Sequence, residues 1–322
     1  MLISLQKEYI FSPGPGLENS HASTVLPLDD GSVLAAWFGG KREGDDSVEI
    51  WCAKRGPSGG WSEPVIVSEG DDIPHWNPVL YQRTDGTILL YYKYGKKIPH
   101  WTTRLIESRD DGATWSRPKE LVPGDDTGGR GPVKNKCLRL TDGTLLAPAS
   151  TEQHRRFMAF IDVSRDDGYT WERCELMERP KYRGAWVGMI QPTLWQSTEG
   201  VHCLMRSNKG ALYRSDSVDG GRNWCKPYRT AMPNNNSGVD CATDKKGRLW
   251  LVCNPVRENW GARNPLSLFV STDNGKTFTE IVKLEAGDGE YSYPAIVCKG
   301  KKLYITYTYL REKIAYWEIT TE

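Results

Sequence analysis

The sequence has no apolar run of about 18 residues, so it offers nothing long enough for a membrane-spanning helix. Long helical periodicity is also missing. Charge of one sign is not in excess: 42 basic and 41 acidic residues leave a formal net charge of +1. No basic stripe stands out, so a nucleic-acid partner finds no electrostatic footprint. The eight cysteines are scattered and form no C-x-x-C pair. They read as reduced packing residues of a cytosolic protein. The opening MLISLQKEYIF agrees, because it lacks the basic and long apolar regions of a signal peptide. The five histidines show no metal-binding spacing. There is no phosphate-binding glycine loop and no G-x-S-x-G elbow. No cofactor or metal is therefore expected. Linkers, low-complexity runs and charge blocks are absent too, so residues 1–322 read as one domain.

What is present is repetition. Ser108-Arg109-Asp110-Asp111-Gly112-Ala113-Thr114-Trp115 returns almost unchanged from Ser164 to Trp171. Looser copies run from Ser217 to Trp224 and from Ser271 to Phe278. All four read S-x-D-x-G-x-[TN]-[WF], and their starts lie 56, 53 and 54 residues apart. A fixed period of this size marks a repeat architecture. Each string is a turn with its own chemistry. The Asp accepts backbone N–H bonds, the Gly takes a positive φ, and the aromatic ring is an apolar plug.

A second repeat counts the units. Six short hairpins turn at Asp30-Gly31, Asp85-Gly86, Asp142-Gly143, Glu199-Gly200, Lys246-Gly247 and Lys299-Gly300. An apolar strand follows each, such as SVLAAWF or TILLYYKY. Unit one carries a worn box ending in Trp61, and unit six carries none. Four-stranded units repeated radially predict an all-β, six-bladed β-propeller with antiparallel blades. The strand-like LISLQKEYIF is expected to complete the last blade and close the ring.

In such a ring the starts of the innermost strands and the ends of the next strands share one mouth. Aligning the six starts puts Ala22, Asn77, Asn135, Gln191, Ser237 and Tyr293 in one layer, five of them polar. His21, Trp76 and Tyr291 lie in the same segments. The second strands end near Arg42 and Asp46, then Lys93, Glu152, Arg206, Arg263 and Arg311. Both signs of charge at one rim suit recognition of an anionic sugar.

The boxes, the six-unit period and AWFGGKREGDDSVEIW resemble the sialidase (neuraminidase) superfamily over the whole chain. The resemblance implies roles. Asp46, preceded by Arg42 and in register with Ile50, matches the general acid. Arg206 and Arg263 match two arginines of the triad that binds the substrate carboxylate. The nucleophilic Tyr falls in Tyr291-Ser292-Tyr293, where alignment on Pro294 selects Tyr293 and residue parity leaves Tyr291 equivalent. Two positions depart from the pattern. His21 stands where the triad's first Arg is expected, and Gln191 where a Glu partners the Tyr. A Gln amide cannot take a phenol proton, so His21, Glu152 and Glu290 are candidate bases. Asn77, Asn135, Lys93, Glu152 and Trp76 are candidate substrate contacts. The implied activity is exo-acting hydrolysis of a terminal sialic acid or related acidic sugar. A lyase or hydrolase for uronic-acid-containing glycans is the rival enzyme, and a non-catalytic glycan-binding propeller the rival of another kind.

Overall fold

The repeats form six four-stranded antiparallel sheets around a ring in a computed structural model, which describes residues 2–322, the side chain of Arg155 apart. Blade 1 comprises Asn19–Pro27, Val33–Gly40, Glu49–Arg55 and Val65–Ile66. Blade 2 comprises His75–Gln82, Ile88–Tyr94, Thr102–Ser108 and Lys119–Glu120. Blade 3 is built from Leu138–Arg139, Leu145–Thr151, Met158–Ser164 and Glu172–Arg173. Blade 4 follows with Met189–Ser197, Gly200–Ser207, Ala211–Ser217 and Tyr228–Pro233. Blade 5 contains Asp240–Thr243, Leu249–Cys253, Leu266–Ser271 and Thr279–Glu285. Blade 6 takes Tyr291–Lys299, Lys302–Tyr309 and Lys313–Thr321 from the end of the chain. Its fourth strand is Leu2–Tyr9, which pairs antiparallel with Lys313–Thr321 and closes the ring as expected.

The second strands show why the stack is stable. Val33–Gly40 and Leu145–Thr151 are buried along their whole length, because neighbouring blades cover both sheet faces. Apolar side chains on both faces of a strand need this double cover, which explains runs such as VLAAWF in place of strict alternation.

The boxes hold the outer turns. In the second box, Ser164 Oγ donates to Asp166 Oδ1 at 2.8 Å and accepts the Gly168 amide at 2.9 Å. Asp166 then accepts the Thr170 amide at 2.9 Å and its hydroxyl at 2.6 Å. The same bonds recur around Asp110, Asp219 and Asp273. Each box also packs onto the preceding blade. Gly221 sits at φ +84, and a Cβ there would fall 2.6 Å from Leu146 Cδ1. Only glycine meets both conditions.

Two charged groups bind blades together. Near the axis, the buried Asp240 accepts Lys136 Nζ on both oxygens at 3.0 Å, Thr193 Oγ1 at 2.6 Å and the Ile296 amide at 2.9 Å. It thus joins blades 4, 5 and 6 to the segment that leads into blade 3. At the closure, Glu8 of the N-terminal strand accepts Arg55 Nη2 at 2.8 Å and Trp61 Nε1 at 3.1 Å from blade 1. The worn first box therefore serves as the seam between the last blade and the first.

Candidate active site

Four inner strands begin with the same irregularity. Their registers slip between His21 and Thr24, Trp76 and Val79, Ile190 and Thr193, and Ser292 and Ala295. The residue at each slip is left-handed: φ is 52° at Ala22, 45° at Asn77, 53° at Gln191 and 52° at Tyr293. Such backbone costs on the order of 1–3 kcal/mol for a non-glycine residue and persists only where its surroundings impose it. A β-bulge of this kind re-aims a side chain. It also breaks the parity that made Tyr291 and Tyr293 equivalent. Tyr291 is buried, 5.2 Å from the ring of Tyr309, and its hydroxyl donates to the Asp288 carbonyl at 3.1 Å. Tyr293 instead stays half-buried at the mouth.

Arg206 meets Tyr293 there. It leaves the second strand of blade 4 and is 2% exposed. Its Nη1 donates to Tyr293 Oη at 2.7 Å and to Gln191 Oε1 at 3.1 Å. Its Nε donates to Asn236 Oδ1 at 3.1 Å, and its Nη2 to the Asn236 carbonyl. A guanidinium locked on four acceptors is a fixed charge with one face toward the phenol oxygen. Arg263 also lies against the phenol, with its guanidinium 5.4 Å from the Tyr293 ring centroid. Glu290 holds it at 2.6 Å and also accepts Arg311 Nε at 2.7 Å. Arg311 reaches on to Glu43 at 2.6 Å, which ties the loop after Gly40 to the rim.

His21 completes the wall. Its ring is 1% exposed, 4.2 Å from the Tyr293 ring centroid, with Nδ1 hydrogen-bonded to Thr308 Oγ1 at 2.7 Å. Burial pushes its pKa well below the usual imidazole range, and Arg311, Arg263, Lys134 and Arg206 push it the same way. The imidazole is therefore neutral. Burial lifts the Glu152 carboxyl above its ordinary value, with Arg206 opposing. Burial also acts to raise Glu290, but the charges of Arg263 and Arg311 outweigh it and hold that group low. Of the three carboxyl and imidazole candidates, Glu290 is thus committed to two arginines, His21 keeps an unprotonated ring whose protonation its cationic surroundings oppose, and Glu152 alone is displaced toward holding a proton.

The remaining candidates fall elsewhere. Asp46 is about half exposed on the loop after blade 1's second strand and pairs with Lys96 at 2.7 Å. Arg42 points into solvent, 3.9 Å from Asp45 and 81% exposed. Asp45 caps the loop by accepting the Ser47 amide at 3.0 Å. Neither Arg42 nor Asp46 touches the Tyr293 cluster. Lys93 is fully buried, and its ammonium donates to Thr103 Oγ1 at 2.7 Å and the Arg130 carbonyl at 2.5 Å. Those bonds anchor the chain between blades 2 and 3 and hold the ammonium inside the protein. Asn135 braces the Gln191 bulge, donating to the Gln191 and Pro192 carbonyls at 3.1 and 2.9 Å. Trp76 is a wedge: its Nε1 donates to the Gly95 carbonyl at 3.0 Å and its ring packs on Phe38 and Trp101. Asn77 is 5% exposed, on its own bulge.

Two contributors are missing from the sequence-based candidates. Asn236, left-handed at φ 62°, supplies two of the four acceptors that lock Arg206. Lys134 lies 5.8 Å from the Tyr293 ring centroid and donates to Asn135 Oδ1 at 2.8 Å and to the Pro294 carbonyl. Burial pushes its pKa down to about 7, against the pull of Asp240. The N-N-N run before Ser237 was the available signal for Asn236. Among the described residues, no group of His, Cys, Asp and Glu is arranged to hold a metal ion.

Comparison with known proteins fits this geometry. A family model described as a BNR repeat-like domain matches residues 31–305. An exo-alpha-sialidase of Aspergillus fumigatus is 37% identical over 108 residues, which span 29% of this chain and 26% of the fungal protein. The match thus takes in about a quarter of that relative. Among solved structures, a protein of unknown function from Dyadobacter fermentans superposes with a TM-score of 0.79 at 16% identity, over 99% of both chains. A Hadza microbial sialidase gives 0.78 at 17% identity, over 95% of this chain and 66% of its own. A Trypanosoma rangeli sialidase solved with the inhibitor DANA gives 0.75 at 14% identity, over 99% and 60%. At these identities the structural likeness is one of fold.

Proposed function

This chain belongs to the family of BNR repeat-like domain proteins, and from that premise we propose that it is a sialidase-like, exo-acting glycoside hydrolase removing a terminal sialic acid or related acidic sugar. The observation that carries the reading is the phenol of Tyr293, aimed by a bulge and held 2.7 Å from a locked, buried Arg206. Sialidases are the exception among glycosidases in using a Tyr nucleophile. A neutral nucleophile suits an anomeric carbon that carries a carboxylate, since two like charges would repel.

In this reading the Tyr293 oxygen attacks the anomeric carbon as the glycosidic C–O bond breaks. Arg206 stabilises negative charge that develops on the phenol oxygen. Arg263, assisted by Arg311, receives the substrate carboxylate. Neutral His21, in contact with the phenol ring, takes the phenol proton that Gln191 cannot take. Asp46 gives the leaving oxygen its proton, after the loop carrying it exchanges Lys96 for substrate. Water then cleaves the glycosyl–Tyr bond, and Tyr293 recovers its proton.

Hydrolysis of an aryl sialoside and of a natural sialoside tests the proposal. Tyr293→Phe should abolish turnover of both. Asp46→Asn should slow the natural substrate by about a hundred- to ten-thousand-fold, the range of general-acid catalysis. The aryl substrate, whose leaving group needs no proton, should be largely spared. One observation favours a second reading. A neutral His21 against Tyr293 also suits proton abstraction from a uronic acid, followed by β-elimination. Unsaturated product absorbing near the ultraviolet, with His21→Ala inactive and Tyr293→Phe active, would replace the hydrolase reading with that one.

A further inference from the structure

The six blades share a plan, and one hairpin lies outside it. Lys181–Tyr182 pairs with Ala185–Trp186 between blades 3 and 4. The turn residues Arg183 and Gly184 both have positive φ, 51° and 79°. The hairpin is stitched in place: the Val187 amide donates to the Pro180 carbonyl at 3.0 Å, and the Met189 amide to the Phe157 carbonyl at 3.2 Å. It therefore rises from the same rim as the mouth.

Between this hairpin and the segment after Glu152 lies a cavity of about 460 Å³, whose lining includes Arg156, Met158, Met177, Arg179 and Trp186. Trp186 is 55% exposed, an unusual state for so large an apolar ring. Cations surround it. Lys181 Nζ stands 4.7 Å from its ring centroid and the Arg179 guanidinium 5.8 Å. Arg179 is fixed by donating Nε to the Val187 carbonyl at 3.0 Å. Its pKa is lowered by burial and by the neighbouring charge of Arg156. Among the described residues neither Arg156 nor Arg179 has a carboxylate partner. Glu178 also lines the cavity, but its exposed carboxylate is engaged by Lys226 at 2.5 Å and by neither arginine. The exposed Arg156 and the fixed Arg179 share one cavity and repel, and an anion placed between them relieves that repulsion.

We propose that this cavity is a second sugar subsite, which binds an acidic unit further along a glycan whose terminal sugar occupies the Tyr293 mouth, with Trp186 stacking on a sugar ring and Arg156 and Arg179 holding its acidic group. The distance fits a chain of sugars. Gln191, at the mouth, lies five residues beyond Trp186, at most about 17 Å away along the backbone. The inference rests on the acidic-sugar reading of the mouth and extends it: the substrate is an acidic oligosaccharide and not a lone acidic sugar on an arbitrary aglycone.

The test uses the full chain, a short oligosialic acid and an aryl sialoside. Trp186→Ala and the double variant Arg156→Ala/Arg179→Ala alter exposed or rim side chains and leave the mouth intact. Each should lower kcat/KM on the oligomer by about tenfold or more, as loss of charge-assisted contacts does. The aryl sialoside should be hydrolysed as by wild type. Calorimetric titration of the oligomer should show the same weakening, and a neutral oligosaccharide of equal length should not bind the site. An unchanged oligomer response in the variants would overturn the subsite, as would equal losses on both substrates or equal binding of a short oligonucleotide. If no glycoside is turned over, the hydrolase reading fails on its own, and the titration still decides the subsite.

Discussion

Arg206 is the residue on which the others converge, and its geometry explains why Gln191 matters. The Gln191 amide oxygen accepts from the same Nη1 that reaches Tyr293. The amide orients the guanidinium but cannot remove a proton from the phenol. Gln191→Glu would place a carboxylate on that nitrogen, within reach of the phenol through the shared donor. The expected outcome is a rise in aryl-sialoside hydrolysis of about tenfold or more, in the lower range of acid–base effects. Steady-state kinetics near neutral pH would check it. An unchanged or lower rate would mean that a carboxylate beside Arg206 adds nothing to the route through His21, and that Gln191 serves only to orient the guanidinium.

At the scale of single elements, the boxes are self-contained turns, and their carboxylates tie folding to pH. Thr114 hydrogen bonds pull Asp110 down to about 2, and bonds from the Asn223 amide and side chain pull Asp219 to about 2. Both groups have folded pKa values below the unfolded value near 3.9. Between these values the unfolded chain binds more protons than the folded one, so stability falls as pH falls from about 4 toward 2. Asp219→Asn removes one such group. Its melting temperature should lie below wild type at pH 6 and fall less steeply between pH 4 and 2, as thermal melts across that range would show. The bulges are the other decisive elements. They recur at Ala22, Asn77, Gln191 and Tyr293, whose aligned places in the sequence had suggested only a shared layer of polar side chains.

For the whole molecule, closure and the axis are the points where separate blades become one structure. Removing the Asp240 side chain would leave Thr193 Oγ1 and the Ile296 amide without this acceptor near the axis, and Lys136 with the Cys241 carbonyl alone. Breaking a buried charge pair from one side costs on the order of 3–5 kcal/mol. Asp240→Ala should therefore unfold at distinctly lower urea, by about 3 kcal/mol or more after linear extrapolation. A variant within about 0.5 kcal/mol of wild type would assign the axis to apolar packing alone.

The period, the turn chemistry, the number of blades and the closing strand were legible in the sequence, because each depends on neighbours along the chain. Asp–Gly turns, box spacing and apolar runs are local signals. Alignment of the strand starts also named the residues that surround the mouth, Tyr293 and Gln191 among them, since equivalent positions in a radial repeat must converge. What lies across the ring was decided only in three dimensions. Tyr291 and Tyr293 separate because one inserted residue reverses the alternation, and nothing in Y-S-Y announces a bulge. Lys93 and Asn135 carry ligand-like chemistry, yet backbone carbonyls of other segments take their donors. Asp46 has the expected spacing, but a lysine 50 positions on holds it at the rim. Asn236 and Lys134 join the site from segments far apart in sequence, through hydrogen bonds and charge. Sequence pattern reports periodicity and turn preference. Pairing between distant side chains depends on where the closed ring brings their atoms, and that is a property of the tertiary structure.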